Sequence, residues 1–157
     1  MRGNEKVIAL LNEALRSELT AISQYFLHAE MSENWGYERI SKHVKKNAID
    51  EMKHAEALIE RILFLEGAPK MSELLPLKIG ASVKAQLAND LAAEREAVAT
   101  YNAAANVCAA AGDHGSKALF EKLLADEEGH ADWLETQLGL IEQIGLESYL
   151  AQQLEAQ

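Results

Sequence analysis

Side chains that can bind metal ions recur in this 157-residue chain at one fixed spacing. Two glutamates, a tyrosine and a histidine of the first half are each followed 76 positions later by a residue of the same type. Glu18, Tyr25, Glu51 and His54 are thus matched by Glu94, Tyr101, Glu127 and His130. A repeat that retains polar residues predicts a symmetric binding site. Four carboxylates and two imidazoles make a pair of metal ions the expected ligand.

The glutamates of this repeat lie on stripes that are predicted to face a helical core. Glu18 stands seven residues from both Leu11 and Tyr25, and Glu51 stands seven residues before Leu58. Residues seven apart lie on the same side of an α-helix. Because an ionised carboxylate is costly in a core unless it is paired or metal-bound, this placement favours a buried metal site.

Two Glu-x-x-His pairs give the predicted ligand set its geometry, since residues three apart are neighbours on one helical face. The glutamates of these pairs are predicted to bridge two metal ions, each histidine to bind one ion, and the other two glutamates to close the ends. A ligand set made mostly of oxygen donors suits iron or manganese better than structural zinc. The predicted metal-binding and catalytic residues are Glu18, Glu51, His54, Glu94, Glu127 and His130.

Tyr25 is added to the predicted catalytic residues because it lies on the same helical face as Glu18. From there its phenol can hydrogen-bond a ligand or donate an electron. Ordinary core packing is the alternative interpretation of this side chain.

Four long helices and one short helix are predicted to position these residues. Alanine, leucine, glutamate and lysine favour helix throughout, and the only prolines, Pro69 and Pro76, fall in one short region. Asn4 and Ser82 are expected N-caps. The first expected helix begins after Asn4 and ends at about Asn34. The others run from about Tyr37 to Glu66, from Ser82 to Ala111, from about His114 to Ile144, and from Leu146 to about Leu154.

The connections predict the topology. Tight turns at Gly36 and Gly112 make each flanking pair of helices antiparallel. The link from Gly67 to Gly80 spans at most about 46–50 Å when extended, enough to run the length of a bundle. We therefore predict an all-α, single-domain protein over residues 1–157: a four-helix bundle with one long crossover and a short fifth helix. The fifth helix is expected to pack on a neighbouring subunit.

Composition narrows the classes of protein. The net charge of −10 argues against nucleic-acid binding, which relies on clustered lysine and arginine. The single cysteine, Cys108, excludes an internal disulfide and a cysteine-rich metal module. The sequence contains no apolar stretch long enough for a signal core or a membrane span. A cytoplasmic location without membrane attachment is therefore expected.

Beyond these residues, the chain resembles the bacterioferritins over nearly its whole length. The resemblance is carried by GNEKVIALLNEALRSELTAISQYFLHAEM, WGYERI, IDEMKHAEALIERILFLEG and DEEGHADWLETQLGLIEQIGLESYL. The six ligands also match the recognised pattern of ferritin-like di-iron proteins. The resemblance implies a ferritin-like fold, a ferroxidase centre at those ligands, and a hollow 24-subunit shell built of two-fold dimers. It also implies iron release through haem, with a small ferredoxin as electron donor.

The resemblance further implies that Met52 binds haem b, with one methionine from each subunit across a two-fold axis. Leu19, Ile22, Phe26 and Ile49 are the expected pocket residues. Two positions depart from the family pattern. Family members often carry a histidine and an acidic residue that together bind an additional iron; here those positions are Lys46 and Asp50. Lys45 stands where the family often has a tyrosine of the haem pocket. Lys45 could instead pair with a haem propionate.

Iron storage with ferroxidase activity is the function that these features favour. A di-iron redox enzyme without storage, either peroxide-reducing or oxygenase-like, is the alternative. A rubrerythrin-type enzyme would need an additional four-cysteine iron domain, which one cysteine cannot supply. A purely structural bundle does not explain six metal-binding side chains at core positions.

Overall fold

The structure of the chain, a computed structural model, describes residues 1–155, where the regular structure is entirely helical. Helix α1 spans Glu5–Asn34, α2 Glu38–Phe64, α3 Val83–Ala110, α4 His114–Ile144 and α5 Leu146–Ala151. The predicted four-helix bundle with a crossover and a fifth helix is confirmed. Residues 156–157, the end of the predicted single domain, lie outside the described part, and the domain extent stays a prediction.

Local sequence signals set the helix ends. The side chains of Asn4 and Ser82 accept hydrogen bonds from backbone N–H groups in the first turns of α1 and α3, as N-caps do. Gly36 and Gly112 adopt φ of 93° and 74° at the hairpin turns. That region of backbone conformation favours glycine, which has no Cβ. The two hairpins, α1–α2 and α3–α4, therefore form where the sequence predicts them.

The bundle core divides into two apolar clusters. One contains Leu11 and Leu58, and the other contains Val44 and Leu134. In every long helix the predicted metal ligands fall between the residues of one cluster and those of the other. We call this level of the bundle the polar layer; it consists of Glu18, Glu51, His54, Glu94, Glu127 and His130.

The crossover runs back along α1 and is held there by polar side chains of that helix. Four backbone N–H groups of the crossover donate hydrogen bonds, in order along the chain, to four side chains of α1. These side chains lie on one face of the helix, because they are eight, four and four residues apart. The pairs are Lys70 to Asn12 (2.9 Å), Leu75 to Thr20 (2.9 Å), Lys78 to Gln24 (3.0 Å) and Gly80 to His28 (3.1 Å). The link thus traverses the bundle and starts α3 parallel to α2.

Helix α5 makes contacts within its own chain that were not predicted from the sequence. Its Tyr149 is buried against the chain's own second apolar cluster, and the phenol donates to Gln137 Oε1 at 2.8 Å. The backbone N–H of Arg39 donates to the carbonyl of Gln153 at 3.0 Å. Helix α5 therefore packs on the bundle of its own chain, and its packing on a neighbouring subunit stays a prediction.

The helices of residues 1–155 are not suited to cross a lipid bilayer, because none combines the necessary length with sufficient apolar character.

Replacing Gln24 with methionine should test how the crossover is held. Gln24 Nε2 donates to Asp90 Oδ1 at 2.9 Å and Gln24 Oε1 accepts from the Lys78 N–H, so one side chain joins α1, α3 and the crossover. Leaving those groups unpaired should lower the free energy of unfolding by about 1–3 kcal/mol, measured by chemical denaturation. Gln143→Met, at an exposed position on α4, is the control. Equal stability of the two variants would contradict the assignment.

Candidate metal centre

The structure brings all six predicted ligands together in the polar layer. They form two overlapping groups, in each of which one donor atom per residue lies within 4.8 Å of the others. Glu51 and Glu127 belong to both groups. One group is completed by Glu18 and His54, and the other by Glu94 and His130. Two metal positions that share two carboxylates have the arrangement expected for bridging glutamates.

The donor atoms fit a bound cation because the protein leaves them unpaired. All six residues are at most 9% exposed. Buried polar atoms without partners are rare in proteins and costly. Among the described residues, the buried side-chain atoms without a hydrogen-bond partner are Glu18 Oε2, Glu51 Oε1 and Oε2, His54 Nδ1, Glu94 Oε2, Glu127 Oε1 and His130 Nδ1. Every one belongs to a predicted ligand, so the fit is specific to the polar layer.

Both imidazoles turn Nδ1 toward the carboxylates. His54 Nδ1 lies 3.2 Å from Glu127 Oε1, and His130 Nδ1 lies 2.9 Å from Glu51 Oε1. These contacts are close but poorly directed, so neither nitrogen makes a hydrogen bond in the described part of the chain. Nδ1 is therefore the ring nitrogen available to a metal ion.

Two aspartates that sequence reasoning missed as partners of the ligands fix this orientation. His54 Nε2 lies 2.9 Å from Asp126 Oδ2, and His130 Nε2 lies 3.1 Å from Asp50 Oδ2. A carboxylate that accepts from Nε2–H keeps the proton there and leaves the Nδ1 lone pair free. The signal was present in the sequence, because Asp50 and Asp126 obey the same 76-residue shift as the ligands.

The two repeat-related tyrosines bind the terminal glutamates crosswise. The phenol of Tyr25 donates to Glu94, and that of Tyr101 donates to Glu18 Oε1 at 2.7 Å. Burial, and the nearby carboxylate charges, raise the pKa of both tyrosines. Each therefore stays a neutral phenol and a hydrogen-bond donor at neutral pH. A redox role for Tyr25 stays a prediction.

Protons compete with metal ions for this centre. Burial, together with neighbouring glutamates, raises the pKa of Glu51 and Glu127. For His130, burial lowers the pKa, but the close approach of the Glu94 carboxylate and the charges of the other carboxylates outweigh it and raise the value to about 9. Metal ligation requires deprotonated carboxylates and neutral imidazoles. Binding of cations must therefore release protons, and it strengthens as the pH rises.

A buried histidine network lies beside the centre and was also missed. His28 Nδ1 lies 2.9 Å from Asp90 Oδ1, and both side chains are buried. Because Nε2 of His28 accepts from the Gly80 N–H, Nδ1 carries the proton. The repeat could not reveal this pair, since alanines, Ala104 and Ala14, stand at the matching positions.

Comparison with known proteins agrees with this fold. The model of the ferritin-like domain family matches residues 8–144. The bacterioferritin of Rhodobacter capsulatus is 48% identical over 149 residues, covering 95% of this chain and 92% of that protein. The Brucella melitensis bacterioferritin is 49% identical over 149 residues, with the same coverage. That of Mycolicibacterium paratuberculosis is 46% identical over 152 residues, covering 97% and 96%.

This chain belongs to the bacterioferritin family. The recognition made from the sequence segments is thereby confirmed.

Met52, the haem ligand that the resemblance implies, lies at the surface. Its side chain is 48% exposed, and the apolar residues Ile49 and Phe26 are also exposed. Leu19 and Ile22 are partly buried against the first apolar cluster. A thioether beside exposed apolar side chains fits a haem held between two subunits. Haem ligation by Met52 stays a prediction.

Lys45, at the position where the resemblance implies a tyrosine of the haem pocket, is engaged within the chain. Its Nζ lies 2.9 Å from Glu30 Oε1. Both side chains are substantially exposed, and the charge of Glu30 raises the pKa of the lysine, as does their hydrogen bond. A haem propionate would therefore have to compete with Glu30 for this ammonium group.

Asp126→Asn should weaken metal binding without unfolding this bacterioferritin. The amide cannot match the carboxylate as an acceptor for His54 Nε2–H, so control of the imidazole weakens. Such changes typically cost about 10–100-fold in metal affinity. Anaerobic titration of the metal-free protein with Co²⁺, followed by visible absorbance, measures it. Asp132→Asn, an exposed aspartate on the same helix, should leave the affinity unchanged. Equal affinities in both variants would refute the role of Asp126.

Proposed function

We propose that this protein stores iron, oxidising Fe(II) at the paired site and depositing a ferric mineral inside a hollow shell. The observation that carries the proposal is the set of six buried ligands in two groups that share Glu51 and Glu127. Membership of the bacterioferritins supports the same conclusion. Iron is thus the substrate, and the predicted catalytic residues are the six ligands with Tyr25.

Two Fe(II) ions at the paired site together supply two electrons to O2 or peroxide and become Fe(III). The protein's part is to collect and hold the ions. Glu51 and Glu127 offer oxygens to both positions, and their negative charge offsets the positive charge gathered in a buried space. Asp50 and Asp126 hold the imidazoles with Nδ1 inward. Every ligand is therefore oriented before iron arrives.

The tyrosines are assigned the role of steadying the terminal carboxylates. Tyr25 donates to Glu94 and Tyr101 donates to Glu18, which leaves the second oxygen of each carboxylate directed to the centre. Because both phenols are buried, bulk water does not compete for these bonds. Tyr25 is also proposed to supply an electron when the oxidant needs more than the iron pair provides.

Glu127→Ala combined with His130→Ala should abolish rapid Fe(II) oxidation. The change removes one shared carboxylate and the imidazole of one metal position, so two ions are no longer held together. Oxidation is measured by the absorbance of ferric products after mixing with Fe(II) in air. Glu128→Ala with Asp132→Ala, two exposed acids of the same helix, is the control and should oxidise at the wild-type rate. An unchanged rate in the first variant would rule out the site.

The particle mass separates storage from the alternative, a non-storage di-iron redox enzyme. The proposed shell of twenty-four 17.3 kDa chains would weigh about 415 kDa. Support for assembly comes from large apolar side chains left exposed on the single chain, such as Leu27, Leu63 and Phe64. Native mass spectrometry measures the particle mass, and the mass of a monomer or dimer would favour the enzyme. A cytoplasmic location and reduction by a small ferredoxin stay predictions.

Haem b is proposed to bind between the two subunits of each dimer, with Met52 from each side holding its iron. Haem supplies one-electron transfer for iron release. The chain contributes an exposed thioether and the apolar side chains around it.

Met52→Leu should remove haem from protein produced with ample haem. Leucine preserves the apolar volume but has no sulfur to bind the haem iron. The haem absorbance band per subunit of purified protein measures the loss. Met71→Leu, which changes another exposed methionine, should retain haem. Full haem content in the Met52 variant, or no haem in the wild type, would contradict the proposal.

A further inference from the structure

A groove of about 790 Å³ lies between the first half of α2, the last half of α4 and the end of α5. Its charged lining residues are Arg39, Lys42, Lys45 and Lys46, and aspartate and glutamate are absent from the lining in the described part of the chain. We call this the basic groove. In a chain whose net charge is −10, four cations around one depression without an acid are a marked concentration of positive charge.

Three of these cations are free to meet a ligand. Lys45 is paired with Glu30 at 2.9 Å. Arg39, Lys42 and Lys46 make no ion pair with any of residues 1–155. Their spacings of three and four residues put them on one face of α2. Like charges so arranged repel one another, and an anion bound among them relieves that repulsion.

The rest of the lining is suited to hold a small molecule. Trp133 of α4 stacks on His43 of α2 with ring centroids 3.8 Å apart and planes 10° from parallel. Gln137 and Gln152 add amide groups that can donate or accept hydrogen bonds. The volume lies within the range of about 300–1,000 Å³ that is usual for small-molecule sites. The groove therefore combines cations, amides and an aromatic wall.

We propose that the basic groove binds a phosphate-type oxyanion, either inorganic phosphate or the phosphate of a small ester. Arg39, Lys42 and Lys46 supply the charge-assisted hydrogen bonds that such oxygens prefer. This site is separate from the six metal ligands, none of which lines it. The proposal goes beyond iron oxidation and storage, and it does not depend on them.

Titration of the full-length protein, freed of iron so that phosphate cannot bind to mineral, tests this site. Inorganic phosphate and AMP are titrated separately at low ionic strength and followed by calorimetry. The variant Lys42→Gln with Lys46→Gln is compared with the variant Lys6→Gln with Lys84→Gln. The second variant removes the same charge from exposed positions outside the groove. All four lysines are surface residues, and circular dichroism checks that the variants are folded.

The affinities of the wild type and the control variant for phosphate should agree within twofold. The groove variant should bind phosphate at least tenfold more weakly. Raised salt should weaken binding, because exposed charges are screened. If AMP binds at least tenfold tighter than phosphate, and the groove variant binds neither, the site is assigned to a phosphate ester. Equal affinities for AMP and phosphate assign it to inorganic phosphate. Absence of binding to the wild type, or equal loss in both variants, overturns the proposal.

Discussion

Four carboxylates buried in the middle of a helical bundle are the constraint on which this structure depends. In an apolar core these carboxylates must either take up protons or have their negative charge balanced by nearby cations. The four residues are Glu18, Glu51, Glu94 and Glu127. The neighbouring imidazoles, phenols and aspartates serve that balance. The apolar core is consequently split into two clusters, and the tight packing that stabilises the bundle lies on either side of the ligands rather than at them.

The fold and the cluster of candidate ligands could be predicted, because both follow periodic patterns in the sequence. Apolar residues at helical spacing, together with Asn4, Gly36, Ser82 and Gly112, set the four long helices to within a few residues. The 76-residue shift identified the six candidate ligands, and the structure brings their side chains together. These signals are local or repeated, so a single sequence contains enough of them.

What escaped prediction depends on contacts between distant parts of the chain. Asp126 lies one residue before Glu127, but its partner is His54 on another helix. The pair of His28 and Asp90 serves a crossover that occurs only once, so no repeat marks it. The intrachain packing of α5 also escaped prediction, because its short apolar face does not specify which surface it covers. Tyr149 packs on its own chain, and packing of α5 on a neighbouring subunit stays a prediction.

The crosswise pairing of the two hairpins bears on how such a protein could arise. The first hairpin alone carries Glu18, Tyr25, Asp50, Glu51 and His54, one member of every matched pair at the centre. Two identical copies of that hairpin, facing each other across a two-fold axis, would therefore contain a full complement of ligands. The crossover turns such a pair into one chain. The bundle thus has the form expected from duplication and fusion of an ancestral helical hairpin that functioned as a dimer.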